Sequence, residues 1–67
     1  MNEDTLKGQW TQLQGAVRAQ WGKLSNDDVD QIQGQSEQLV GKIQERYGIA
    51  REEAERQVES WRTANRF

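Results

Sequence analysis

Leu6, Trp10, Leu13, Val17, Trp21 and Leu24 follow one another at intervals of three or four residues. At 100° per residue they share an arc of about 80°, the apolar face of one amphipathic helix predicted over residues 4–22. At 1.5 Å per residue such a rod is about 28 Å long. Glu3 and Asp4 complement the positive end of its dipole, Asn2 or Asp4 can accept from a free first-turn amide, and Gly22 is the expected stop.

A second start follows at once. Ser25 and Asp28 form a Ser-x-x-acid pattern, close to a capping box with aspartate in place of glutamate, and predict a short helix over 27–33. Val29 and Ile32 give it one apolar ridge before Gly34. A third helix, over 35–47, places Leu39, Val40, Ile43 and Tyr47 on one side; Gly48 and a returning Ile49 fit a Schellman ending. A fourth, over 51–64, turns Ala50, Ala54, Val58 and Trp61 inward. Its outer face carries Arg51, Glu52, Glu55, Arg56, Glu59 and Arg62, with Arg51–Glu55 and Glu52–Arg56 spaced for i,i+4 pairing. The pattern is all-α: a small four-helix bundle in one domain covering 1–67.

Sliding the chain by 26 positions aligns Gly8, Gln9, Gln12, Leu13, Gly15 and Gly22 with Gly34, Gln35, Gln38, Leu39, Gly41 and Gly48. Six identities in the 15 positions from Gly8 to Gly22 compare with about one expected by chance in so biased a composition. Val17 also meets Ile43, and Trp21 meets Tyr47. The match implies two helix-loop-helix halves related by a pseudo-twofold axis. Within each half the glycines are seven apart and lie roughly opposite the apolar stripe. An interior helical glycine costs about 0.5 to 1 kcal/mol relative to alanine, so the rows are a sizeable loss in a small protein. They mark either a groove for close approach of a partner or a soft hydrophilic surface with no ligand. The face concerned comprises Gly8, Gln9, Gln12 and Gly15 on the first helix and Gln35, Gln38 and Gly41 on the third.

Composition narrows what such a bundle can do. With 67 residues and 33% apolar side chains, the core is thin and the expected stability is on the order of 3 to 5 kcal/mol. Nine basic and eleven acidic residues leave a net charge of −2 without long runs of one sign, which disfavours nucleic acid as a partner. There is no cysteine for a disulfide or thiolate and no histidine to titrate near neutrality, so tightly bound zinc is not expected. The acidic start leads into no apolar run, so neither a signal peptide nor a membrane span is expected and the cytoplasm is the default.

Asp27, Asp28 and Asp30 resemble a site only superficially. Calcium needs six or more oxygens from a glycine-containing loop, and helix-start acid explains the trio. No phosphate-cradling Gly-x-x-x-x-Gly-Lys-Ser/Thr loop is present, and paired carboxylates would need a dry pocket that a thin bundle hardly offers. No catalytic residue, cofactor or small-molecule substrate is therefore expected. Trp10 and Trp21, with Lys7, Arg18 and Lys23 nearby, offer base-stacking chemistry, but they share the stripe that must form the core. As core residues each should keep its indole N–H near a partner or water. The fourth helix, with Trp61 and Phe67, could face a lipid surface, although its polar face is as acidic as it is basic.

Lys7-Gly8-Gln9-Trp10, Gln20-Trp21-Gly22-Lys23-Leu24, Asp27-Asp28 and above all Gln38-Leu39-Val40-Gly41-Lys42-Ile43-Gln44-Glu45-Arg46-Tyr47-Gly48 resemble the CsbD-like family of small bacterial stress-associated proteins. The resemblance covers nearly the whole chain. It implies a helical bundle whose amount rises under general, osmotic or stationary-phase stress, with no defined catalytic residues. Relatives often carry several lysines on the first helix, where this chain has Thr11, Gln14, Ala16 and Ala19, so a basic partner-attracting face is weakened. The expectation is a non-enzymatic stress-response protein acting through abundance, solvation or weak protein contacts. The alternative is an adaptor that binds a protein or nucleic acid through the glycine-bearing faces.

Overall fold

The computed structural model describes residues 7–65. Leu6, the amino-terminal acids and Phe67 lie outside the described residues, and so do the expectations placed on them. Among the described residues these helices follow in order: α1 (Trp10–Gln20), α2 (Asn26–Ile32), α3 (Ser36–Tyr47) and α4 (Arg51–Asn65). No strand occurs among the described residues.

The first helix is shorter than its apolar repeat predicts. Lys7 and Gly8 are helical, but Gln9 stands at φ −110°, ψ 10°, and α1 begins only after it. The Gln9 carbonyl accepts from both Gln12 and Leu13 at 3.0 Å, so the break costs little hydrogen bonding. At the other end the chain leaves the helix at Trp21, with φ −123° and ψ 81°, and not at Gly22. Trp21 is almost wholly buried, and it still donates its backbone N–H to the Val17 carbonyl at 2.8 Å. Leu24 remains a core residue, but it sits in the connection after α1, held by a turn in which its N–H reaches the Trp21 carbonyl. Periodicity placed its side chain in the core, beyond the expected helix stop at Gly22.

The start of α2 follows the sequence. Ser25 Oγ accepts from the Asp28 amide at 3.1 Å, and Asp28 Oδ2 accepts from the Ser25 amide at 3.0 Å. Both bonds of the capping box are therefore present. The helix ends where Gln33 and Gly34 both take left-handed dihedrals, φ 52° and 77°. The end of α3 is an αL cap: Gly48 at φ 64° donates to the Gln44 carbonyl at 2.9 Å, the single-bond version of the expected ending. Ile49 then packs half-buried against the core. Gly22 and Gly48, equivalent in the repeat, thus differ, because only Gly48 adopts a positive φ.

One core unites the helices. Trp10, Leu13 and Val17 from α1 meet Trp21 and Leu24, Val29 and Ile32 from α2, Leu39, Val40 and Ile43 from α3, and Ala54, Val58 and Trp61 from α4. Tyr47 lies partly buried at its edge. Trp21 and Trp61 meet edge to face, centroids 5.2 Å apart and planes at 62°.

Two inward or outward placements need correction. Ala50, expected inside, is exposed, and its carbonyl accepts the Ala54 amide at the start of α4. Arg62, expected on the outer face, is buried to 8% exposure. It follows Val58 by four residues, so the helix carries it round to the core-facing side.

Candidate interaction face

The residues of the glycine-bearing faces emerge on the surface. Gly8, Gln9, Gln12 and Gly15 are exposed, as are Gln38 and Gly41, while Gln35 is half-buried as the residue preceding α3. A Cβ built at Gly8, Gly15 or Gly41 meets no atom within 4 Å. At these three positions packing within the chain does not require glycine, whereas Gly34 is buried and takes φ 77°. No hydrogen bond among the described residues joins the α1 row to the α3 row, so the structure presents two open strips.

The aromatic residues behave differently. Trp10 and Trp21 are core residues, which leaves their faces unavailable for stacking on bases. Lys23 places its Nζ 5.2 Å from the Tyr47 ring centroid and donates its backbone N–H to Tyr47 Oη at 3.2 Å. The Arg18 guanidinium donates to Asn26 Oδ1 across the α1–α2 connection. These cations are tied to neighbours on their own chain. The apolar side of α4 is likewise spent on the core, and no described helix is long and apolar enough to cross a membrane.

Of the aspartate trio, only Asp28 is buried. Arg46 grips it from α3, Nε to Oδ2 and Nη2 to Oδ1, both at 2.9 Å, and Lys42 Nζ stands 3.6 Å from Oδ1. The Arg46 hydrogen bonds, helped by the Ser25 amide, hold the Asp28 carboxyl well below the usual carboxylate range against the opposing effect of burial. One carboxylate thereby caps α2 and fastens it to α3. Its capping role was legible from Ser25; its partner eighteen residues on was not, because Arg46 belongs to a different helix. Asp27 and Asp30 remain exposed, and no group of three potential metal-binding acids forms among the described residues.

Indole hydrogen bonding follows expectation in part. Trp21 Nε1 donates to Gln57 Oε1 at 2.9 Å, and Gln57 Nε2 donates to Glu53 Oε2 at 3.2 Å. Trp10 Nε1 departs from it: it is buried without a hydrogen-bond partner among the described residues. On the outer face of α4, Arg51 pairs with Glu55 at 3.1 Å as spaced, whereas Arg56 pairs with Glu53 at 3.2 Å and not with Glu52.

Open clefts complete the surface. One, about 400 Å³, runs beside α4 past Gln20, Gln57, Ser60, Trp61 and Ala64. Another, about 290 Å³, lies between α1 and α2 at Gln14, Arg18, Asn26 and Asp30. A third, about 200 Å³, opens between α3 and α4. The bundle is thus less smooth than so thin a core implies.

Comparison with known sequences adds identity to this geometry. The CsbD-like family model matches residues 4–56. The UPF0337 protein YjbJ of Escherichia coli K12 is 51% identical over 67 residues, covering 100% of this chain and 97% of the relative. Its Salmonella typhimurium counterpart is 49% identical over 67 residues, covering 100% and 96%. A UPF0337 protein of Pseudomonas aeruginosa is 50% identical over 58 residues, covering 87% and 89%.

Proposed function

Because this chain belongs to the CsbD-like family, we propose that it serves the bacterial stress response without catalysis, as a small hydrophilic helical protein of the cytoplasm. The observation that carries this reading is the division of the molecule: thirteen apolar side chains are committed to one core, while Gly8, Gln9, Gln12, Gly15, Gln38 and Gly41 are exposed. Glycine at open helical positions gives up stability without serving internal packing. That fits a protein acting through abundance and surface hydration. The stress assignment itself rests on the family. Deleting the gene is expected to lower survival under osmotic, oxidative or stationary-phase stress; unchanged survival in all three would overturn the biological part of the reading.

A second reading is favoured by the open space over Gly8, Gly15 and Gly41. Without a Cβ at these positions, a partner's backbone can approach closely, and the chain becomes an adaptor for a protein or nucleic acid. Backbone amide spectra recorded with cell extract, and separately with single-stranded DNA at two salt concentrations, separate the readings. Saturable shifts confined to Gln9, Gln12, Gln35 and Gln38 support the adaptor, while uniformly small shifts support the solvating role.

A further inference from the structure

The cleft between α3 and α4 holds a charge without a counter-charge. Arg62 is buried to 8% exposure, and its Nε and Nη2 are closed off from water without a hydrogen-bond partner among the described residues. An arginine stays charged at any physiological pH, and N–H groups buried without an acceptor are strongly disfavoured. Apolar contact opposes their release. Val40 and Val58, 5% and 3% exposed, line the same 200 Å³ cleft beside Arg62, and a long arginine stem covers apolar surface of this kind.

A second place for the guanidinium lies one turn back along α4. Glu59 is exposed, lines the cleft and has no ion-pair partner among the described residues. The other carboxylates of the cleft, Glu37 and Glu55, are both held by Arg51, at 3.3 and 3.1 Å. Acids therefore outnumber guanidiniums around the cleft. The surplus acid stands three residues before Arg62, a spacing at which helical side chains meet on the surface.

We infer that Arg62 is a two-position latch on the α3–α4 seam: inward, as in the structure, its side chain closes the cleft, and outward its guanidinium pairs with Glu59 and bares Val40 and Val58. Each position leaves something unsatisfied. Inward, two N–H groups lack acceptors; outward, apolar surface meets water. The swap is slower than a free surface rotamer flip, since the sealed Nε and Nη2 cannot leave until the side chains around them part. It falls in the microsecond-to-millisecond range, with the outward position populated at about 1–10%. Neither position breaks a backbone hydrogen bond, so the helices stay folded as the latch moves.

Relaxation dispersion of backbone amides and valine methyls in the full chain at neutral pH tests this on wild type, Arg62→Met and Glu59→Gln. Wild type should show dispersion at Val40, Val58, Glu59 and Arg62. Arg62→Met, with no charge to release, should show none at these positions. It should also melt no lower than wild type, because an apolar side chain replaces a buried charge with unpaired donors. Glu59→Gln changes an exposed position and keeps the fold; by weakening the outward pair it should reduce the outward population about 1.4- to 2.3-fold. Flat profiles in wild type overturn the latch. So do dispersion that persists unchanged in Arg62→Met, a lower melting temperature for that variant, or an outward population that Glu59→Gln leaves unaltered.

Discussion

Asp28 shows how much a single side chain carries in a protein of this size. Its carboxylate closes the capping box of α2 and receives Arg46 from α3. Asp28→Asn keeps an acceptor for the Ser25 amide but removes the charge. Because Arg46 is 42% exposed and can be rehydrated, the loss should be toward the low end of about 1–3 kcal/mol, measurable by urea denaturation. The pH dependence has a definite sign. A carboxyl held below its ordinary value of about 3.9 stabilises the fold at higher pH, and that contribution fades as pH falls through and below that value. The stability difference between wild type and Asp28→Asn should therefore be constant above about pH 5 and shrink on acidification. Glycine positions divide by backbone and space. Gly15→Ala and Gly41→Ala, where the new methyl meets nothing within 4 Å, should each add about 0.5–1 kcal/mol in the same assay. Gly48→Ala should subtract about 1 kcal/mol, because φ +64° disfavours a side chain.

Among elements, the connection after α1 is joined to α4 by Trp21, whose indole donates to Gln57, which in turn donates to Glu53 on the same helix. Gln57→Leu removes the acceptor for a buried indole N–H. It should cost about 1–3 kcal/mol and move the Trp21 indole proton resonance, which the wild type holds in a hydrogen-bonded position. Helix number, helix order and the core stripes were legible in the sequence because repeats of three and four residues report directly on one buried face. The α2 start was legible because Ser25 and Asp28 cap one another locally. Contacts between helices left no such trace: Asp28–Arg46 and Trp21–Gln57 depend on how the rods cross. The break at Gln9 was hidden because apolar spacing continues through it. Arg62 was misplaced because its charge outweighed a position four residues after Val58, a signal that was present in the spacing. Within the candidate interaction face, exposure was legible from the stripe opposite the core.

At the scale of the molecule, all described helices share one hydrophobic cluster, and no helix buries its stripe alone. The Cα radius of gyration is 10.6 Å, close to the roughly 11 Å expected for a folded chain of this length and far from roughly 25 Å when unfolded. Such a molecule should open as a unit, since removing one helix exposes the core of the others. The proposed functional readings depend on this, because a loosened core would put Trp10, Trp21 and Trp61 in water beside the glycine rows. Native-state amide hydrogen exchange at neutral pH tests it most directly. The slowest amides of α1, α3 and α4, at Val17, Ile43 and Val58, should share one opening free energy on the order of 3–5 kcal/mol, a protection of about a hundred- to a few thousandfold. Exchange at unprotected rates throughout, or protection confined to one helix while the others exchange freely, would contradict the account.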